Sequence, residues 1–151
     1  IDPKEWAQVL AVNLTGVFSC VQAEIAQMVQ QEAGGSIVNT ASICGLVALP
    51  HATAYNSAKH GVIGLTKSAA VEYGPKKIRV NAVCPGFIDT PMLAKGAGAS
   101  QEVLDGVVSQ LPIRRIADPS EVADVVAWLM SPHSSYVTGV AMPIDGGWTA
   151  Q

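Results

Sequence analysis

Three short apolar runs, each separated from the next by a segment long enough for a helix, restrict the folds open to this chain more than any other feature. Residues 36–41 (SIVNTA), 78–84 (IRVNAVC) and the region near 137–144 are brief, rich in β-branched residues and bounded by glycine or proline, which predicts strands. Upstream of the first, Asp2 is a candidate helix cap, Pro3 suits the first helical position and Glu5 sits three residues past the cap. Trp6, Val9, Leu10, Leu14, Val17, Val21, Ile25 and Met28 then recur at helical spacing until Gly34 and Gly35. Residues 53–73 carry Val62, Ile63, Leu65, Ala69 and Val71 in a second helical pattern that Gly74-Pro75 ends. Asp118, Pro119 and Glu121 repeat the opening signature ahead of VADVVAWLM, a third helix. Residues 87–110 are mixed, with Gly96 and Gly98, and read as a mobile segment holding a short helix near 101–109. Helix, strand, helix, strand, helix, strand is the order of an α/β fold, a parallel sheet with helices on its faces.

The 151 residues suffice for one domain, and 49% apolar with 14% charged residues suits a packed core rather than a disordered chain. A net charge of -3 with scattered Lys and Arg argues against nucleic acid as a partner. No apolar run approaches a membrane span, so no membrane partner is expected. Cys20, Cys44 and Cys84 are odd in number and widely spaced, which fits neither a disulfide framework nor a zinc site and favours buried or partly buried free thiols in a reducing, cytoplasmic setting. His51, His60 and His133 lack ligand spacing, so no metal is expected. Trp128 reads as core. The opening IDPKEW, without a Met or a leader pattern, already reads as a helix start, so the chain is expected to begin in mid-fold.

In a parallel sheet, ligands bind beyond the carboxyl ends of the strands, here near 41–45 and 84–90. Ser42 follows the first strand, and Tyr55 and Lys59 open the next helix four residues apart, on one face. A hydroxyl, a phenol and an ammonium on one rim suit proton transfer. A free Tyr has a pKa of about 10, too high for an efficient base near neutrality, and a nearby ammonium favours its phenolate. Taken singly, these residues also fit a surface pair and a turn serine, Pro85-Gly86 fits a plain turn, Thr90-Pro91 fits a helix cap, and Asn13, inside an apolar helix, fits a bond to a neighbouring backbone group.

Ser42, twelve residues, Tyr55, three residues, Lys59 resembles the catalytic signature of the short-chain dehydrogenases/reductases. The surroundings are similar as well: IVNTASICG ahead of it, AYNSAKHGVIGLTKSAAVEYG through it, then IRVNAVCPGFIDTPM, SSYVTGVAMPIDGGW and, in the first helix, VNLTGVF. The resemblance covers nearly the whole chain. It implies the C-terminal half of a Rossmann-type doubly wound parallel sheet, contributing strands 5, 6 and 7 of that family's order. The Gly-rich phosphate turn, the adenine-ribose reader and the Asn-Asn-Ala-Gly strand of the family are not among these residues.

The resemblance further implies an NAD(P)-dependent oxidoreductase interconverting a secondary alcohol and a ketone, with NAD or NADP as cofactor and a homodimer or homotetramer as assembly. Residue by residue, Tyr55 would exchange the proton with the substrate oxygen. Lys59 would lower the Tyr55 pKa and hold the nicotinamide ribose, and Ser42 would orient the substrate. Asn13 would distort its helix and hold a water leading to Lys59. Pro85, Gly86, Ile88 and Thr90 would form the nicotinamide loop, and residues 91–110 the substrate lid. A non-redox scaffold of the same family or an inactive piece of such an enzyme is the alternative reading, and intact Lys59 and PGFIDT count against the former.

Overall fold

The computed structural model describes residues 2–96 and 100–150. In chain order it contains α1 (Pro3–Leu10), α2 (Gly16–Met28), β1 (Gly35–Thr40), α3 (Thr53–Tyr73), β2 (Ile78–Pro85), α4 (Pro91–Gly96), α5 (Gln101–Gln110), α6 (Pro119–Met130) and β3 (Ala141–Ile144). The strands form one sheet in the order β1-β2-β3, and both pairings are parallel. Gly35 lies opposite Ile78, and Ala82 opposite Ala141. This is the α/β half-sheet expected, and β1 is one of its edges.

Helices α1 and α2 are one continuous run joined through a π turn, Ala11–Thr15. Asp2 caps its start by accepting from the Lys4 N–H. The run stops at Met28, short of Gly34, whose φ of 69° serves the tight return into β1. By length and composition Pro3–Met28 would also cross a membrane, with a mean hydropathy of 1.5 and 11% burial over its best window, a property missed when apolar residues are read only as unbroken runs. Here its Val21 and Ile25 pack with Ile37, Ala69, Ala70, Ile78 and Val80 into the first part of the core. The second part joins Val62 and Ile63 of α3 to Ala41, Ala82 and Cys84. β2 is buried along nearly its whole length, with Arg79 half-buried and Asn81 fully buried.

Strand β3 begins four residues later than the sequence suggests. Gly139 takes a φ of 76°, and over 137–140 side-chain bonds supplement two backbone bonds, from the Gly139 N–H to the Val80 carbonyl and from the Ala82 N–H to the Val140 carbonyl. Thr138 Oγ1 accepts from the Val80 N–H, and Asn81 accepts from the Val140 N–H while donating to the Val137 carbonyl. Asn81 is fully buried, so these bonds satisfy a side chain that would otherwise be costly. Arg79 donates to the carbonyls of Leu129, Ser131 and Val137, tying the end of α6 to the sheet.

At α6 the expected capping box is present. Asp118 accepts from Ser120, Glu121 accepts from the Asp118 N–H, and Arg115 grips Glu121 through both guanidinium nitrogens at 2.6 and 2.7 Å. That cation and the capping bond hold the Glu121 carboxyl down to about 2. Two expectations fail here. Trp128 is 40% exposed, because the buried stripe of α6 runs through Leu129 instead. Cys20 lies on the outer face of α2 and is exposed, whereas Cys44 and Cys84 are buried free thiols.

Candidate active site

The first wall of the site is the turn after β1. Ser42 leaves the strand in extended conformation and its Oγ accepts from the Cys44 N–H at 3.1 Å, opening the short turn Ile43–Gly45. That turn lies so close to α3 that a side chain on Gly45 would meet the Lys59 carbonyl oxygen at 2.7 Å. Asn56 fastens the rest of the loop by donating to the Leu49 carbonyl at 2.8 Å. The loop is thereby held against the first turns of α3, where Tyr55 and Lys59 stand.

Lys59 is 8% exposed and donates from Nζ to the Thr40 carbonyl at 2.9 Å. A buried ammonium needs such a partner. Its Nζ also lies 5.4 Å from the centre of the Tyr55 ring. Burial pushes the Lys59 ammonium down from its ordinary value, and nearby Cys44 and Cys84 oppose that. Tyr55 is pushed up, first by burial and also by Cys44, against a lowering interaction with Ser42. The lowered Tyr55 value expected from the Tyr-Lys pairing is therefore not found in this chain. Loss of water around the phenolate outweighs the neighbouring groups.

The other wall is the segment after β2. Gly86 donates its N–H to Ile144 at 2.9 Å, and a Cβ there would meet Asp145 Cα at 2.9 Å, so glycine lets this segment pass the end of β3. Ile88 bridges to Ala117 in parallel fashion. Thr90 Oγ1 accepts from the Leu93 N–H at 3.4 Å and starts α4, so Thr90-Pro91 is a helix cap as well as a wall of the site. Sequence reading places one short helix in this region. The structure has two, α4 and α5, and residues 97–99, which belong to the expected mobile lid, lie outside the described residues.

From the opposite side, Asn13 sits within the π turn and donates to the Val9 carbonyl at 3.1 Å. This bond is the local backbone contact that a polar residue inside an apolar helix makes. All eight candidate residues, Asn13, Ser42, Tyr55, Lys59, Pro85, Gly86, Ile88 and Thr90, line one cleft of about 780 Å³ at the carboxyl ends of β1 and β2. Residues from α4, α5 and α6 close its outer side. Among the described residues no cluster of His, Cys, Asp and Glu could hold a metal.

Sequence reading missed the residues that hold this geometry. Thr40 serves Lys59 through its carbonyl, which no side-chain pattern reveals. Asn39 donates to Thr66 at 2.9 Å and Thr66 to the Val62 carbonyl at 2.8 Å, a buried chain from β1 to α3. Both are polar residues inside otherwise apolar periodic segments, and that irregularity was the available signal.

Residues 1–149 match the family model described as enoyl-(acyl carrier protein) reductase. The chain is 43% identical over 149 residues to an A-factor type gamma-butyrolactone 1'-reductase of Streptomyces virginiae, covering 99% of this chain and 58% of the relative. It is 44% identical over 146 residues to a cyclohexanol dehydrogenase of an Acinetobacter species, covering 97% and 55%. Among solved structures, a 3-oxoacyl-[acyl-carrier protein] reductase of Brucella melitensis with bound NAD matches with a TM-score of 0.87 and 42% identity, over 97% of this chain and 53% of that one. An actinorhodin polyketide ketoreductase with NADPH matches with a TM-score of 0.94 and 36% identity, over 100% and 61%. The chain thus spans between half and two thirds of the length of these relatives. A match of this extent in both sequence and fold places the chain in the short-chain dehydrogenase/reductase family.

Proposed function

We propose that this chain carries the catalytic portion of an NAD(P)-dependent oxidoreductase that interconverts a secondary alcohol and a ketone. The observation that carries the reading is the convergence of Ser42, Tyr55 and Lys59 with the segment Pro85–Thr90 on one cleft at the carboxyl rim of the sheet. The solved relatives with NAD and with NADPH support a nicotinamide cofactor. The residues fit such a group. An ammonium has three donors, and Thr40 takes one from Lys59 at the cleft wall. Lys59 would hold the nicotinamide ribose, and Pro85, Gly86, Ile88 and Thr90 would border the nicotinamide ring. When bound, the cofactor supplies or accepts the hydride.

The remaining chemistry falls to the protein. Ser42 Oγ donates to the substrate oxygen and fixes its distance from Tyr55. Tyr55 Oη gives its proton to that oxygen in ketone reduction and takes one back in alcohol oxidation. Lys59, beside the Tyr55 ring, stabilises the phenolate as the proton leaves. Asn13, on the π turn, opens the helix toward Lys59 and provides the place for a water that restores the proton. We also propose a cytoplasmic homodimer or homotetramer. Val12, Phe18 and Val71 are exposed apolar side chains on α2, α3 and the π turn, which an assembly would cover.

The test is Tyr55→Phe in the full-length protein. General acid–base assistance contributes about 10²- to 10⁴-fold, and turnover should fall by at least that range. Binding of NADH or NADPH, followed by fluorescence, should change little. Turnover within about threefold of wild type would remove Tyr55 from this role.

A further inference from the structure

We propose that Asn39 and Thr66 form a buried clamp that sets the position of Lys59, and through it the grip of the cleft on its nicotinamide cofactor. The inference rests on the oxidoreductase reading above and adds two positioning residues to it. Asn39 is 6% exposed and Thr66 is 0% exposed. Asn39 Nδ2 donates to Thr66 Oγ1 at 2.9 Å, and Thr66 donates onward to the Val62 carbonyl at 2.8 Å. The Thr66 hydroxyl proton is thus committed within α3, and the same oxygen is left to accept from β1. This bond joins neighbours of the Lys59 contact on both elements. On β1, Asn39 directly precedes Thr40, whose carbonyl takes the Lys59 ammonium at 2.9 Å. On α3, Lys59, Val62, Ile63, Thr66, Ala69 and Ala70 are buried, and their spacing of three and four residues puts them on one face.

The core around the pair is apolar. Ile37 and Ala41 lie two residues to either side of Asn39, on the same face of the chain. Val62, Ile63, Ala69 and Ala70 flank Thr66, and all six belong to the two apolar clusters of the core. Replacing both partners of a buried bond with apolar groups of like shape is close to neutral for stability. What an apolar pair lacks is direction. Apolar contacts let a helix slide or turn slightly on a sheet, whereas a bond of 2.9 Å holds one register. Lys59 lies about two turns from Thr66 along the same face, so that register fixes where Nζ stands against the Thr40 carbonyl. It also fixes how the remaining Lys59 donors meet the cofactor's ribose.

The experiment measures NADH and NADPH binding to the full-length protein by nicotinamide fluorescence. Asn39→Leu/Thr66→Val removes both partners together, so it should keep its fold by circular dichroism. Its Kd for the cofactor that the wild type prefers should rise at least about fivefold, part of the loss expected when a hydrogen bond from a charged group is misplaced. Thr66→Ser keeps the hydroxyl and should bind as the wild type does, whereas Thr66→Val should bind weakly. This second comparison, made below the melting temperature of both variants, carries the same test if the double variant does not fold. In a Lys59→Met background, Asn39→Leu/Thr66→Val should weaken binding no further, because the clamp acts through Lys59. Wild-type affinity in the folded double variant, equal affinities of the Thr66→Val and Thr66→Ser proteins, or an additive loss in the Lys59→Met background would overturn the clamp and leave the oxidoreductase reading standing. A wild-type protein that binds neither NADH nor NADPH would overturn both.

Discussion

Tyr55 is pushed up from about 10 by burial, so this phenol remains protonated throughout the neutral range. Under the proposed function a protonated phenol is a donor, which suits ketone reduction directly. Alcohol oxidation needs the phenolate, whose population grows only as pH climbs toward the raised value. The two directions should therefore respond oppositely. Ketone reduction should stay level through neutral pH and decline on the alkaline side, whereas alcohol oxidation should rise with pH over the same range. Initial-rate profiles in both directions between pH 6 and pH 10.5 would check this, and parallel profiles would exclude Tyr55 as the group that titrates. The spacing of Ser42, Tyr55 and Lys59 was legible in the sequence, because a strand end and one helix face suffice to bring them together. The direction of the Tyr55 shift was not. It depends on how much water the surrounding loop and sheet remove, and that loop is fixed by Asn56 and Gly45 through contacts no spacing encodes.

At the scale of elements, the turn Ile43–Gly45 and helix α3 act as one unit. Gly45 has an ordinary backbone conformation, so its value lies in space rather than in conformational freedom. A methyl group there would press on the Lys59 carbonyl oxygen at 2.7 Å and on Ile63 Cδ1 at 2.8 Å. Backbone cannot move aside as a flexible side chain can, so Gly45→Ala should shift α3 against the turn. Overpacking of this kind costs about 1–3 kcal/mol. Stability should drop by that amount in chemical denaturation. Because Lys59 moves with its carbonyl, kcat should fall more than the KM for ketone changes. A fully stable, fully active Gly45→Ala protein would show that the turn adjusts freely. Helix limits set by caps were readable here: Asp2, Asp118 and Glu121 announced themselves, and Gly74-Pro75 closed α3 where expected. The late start of β3 was not readable, since Thr138 and Asn81 meet Val80 and Val140 across separations of 58 and 59 residues. Trp128 was misplaced for a related reason. A hydrophobic stripe on a short helix defines a face only to within one residue, and Leu129 took the buried position.

For the whole molecule, the question is how much of a cofactor site these 151 residues hold. The cleft offers Lys59 and the segment Pro85–Thr90, which under the proposed function meet the nicotinamide end. No Gly-rich phosphate turn occurs in the sequence, and the chain spans between half and two thirds of its relatives' length. Strand β1 lies at the edge of the sheet, and Val12, Phe18, Val71 and Met130 stay exposed around it and on the helices. An unpaired edge beside apolar surface favours self-association. A ligand that binds only the folded state stabilises it by about 2.7 kcal/mol at a hundred times its dissociation constant. The full-length protein should therefore show a clear rise in melting temperature with NADH or with NADPH, stronger for one than for the other. The 151-residue chain, expressed alone, should show little rise with either at the same concentration and should elute as an associated species. A fragment stabilised as strongly as the full-length protein would mean that these residues bind the adenosine end by contacts other than a Gly-rich turn. The helix N-termini and loops at the carboxyl rim of the sheet would then be the place to look for them.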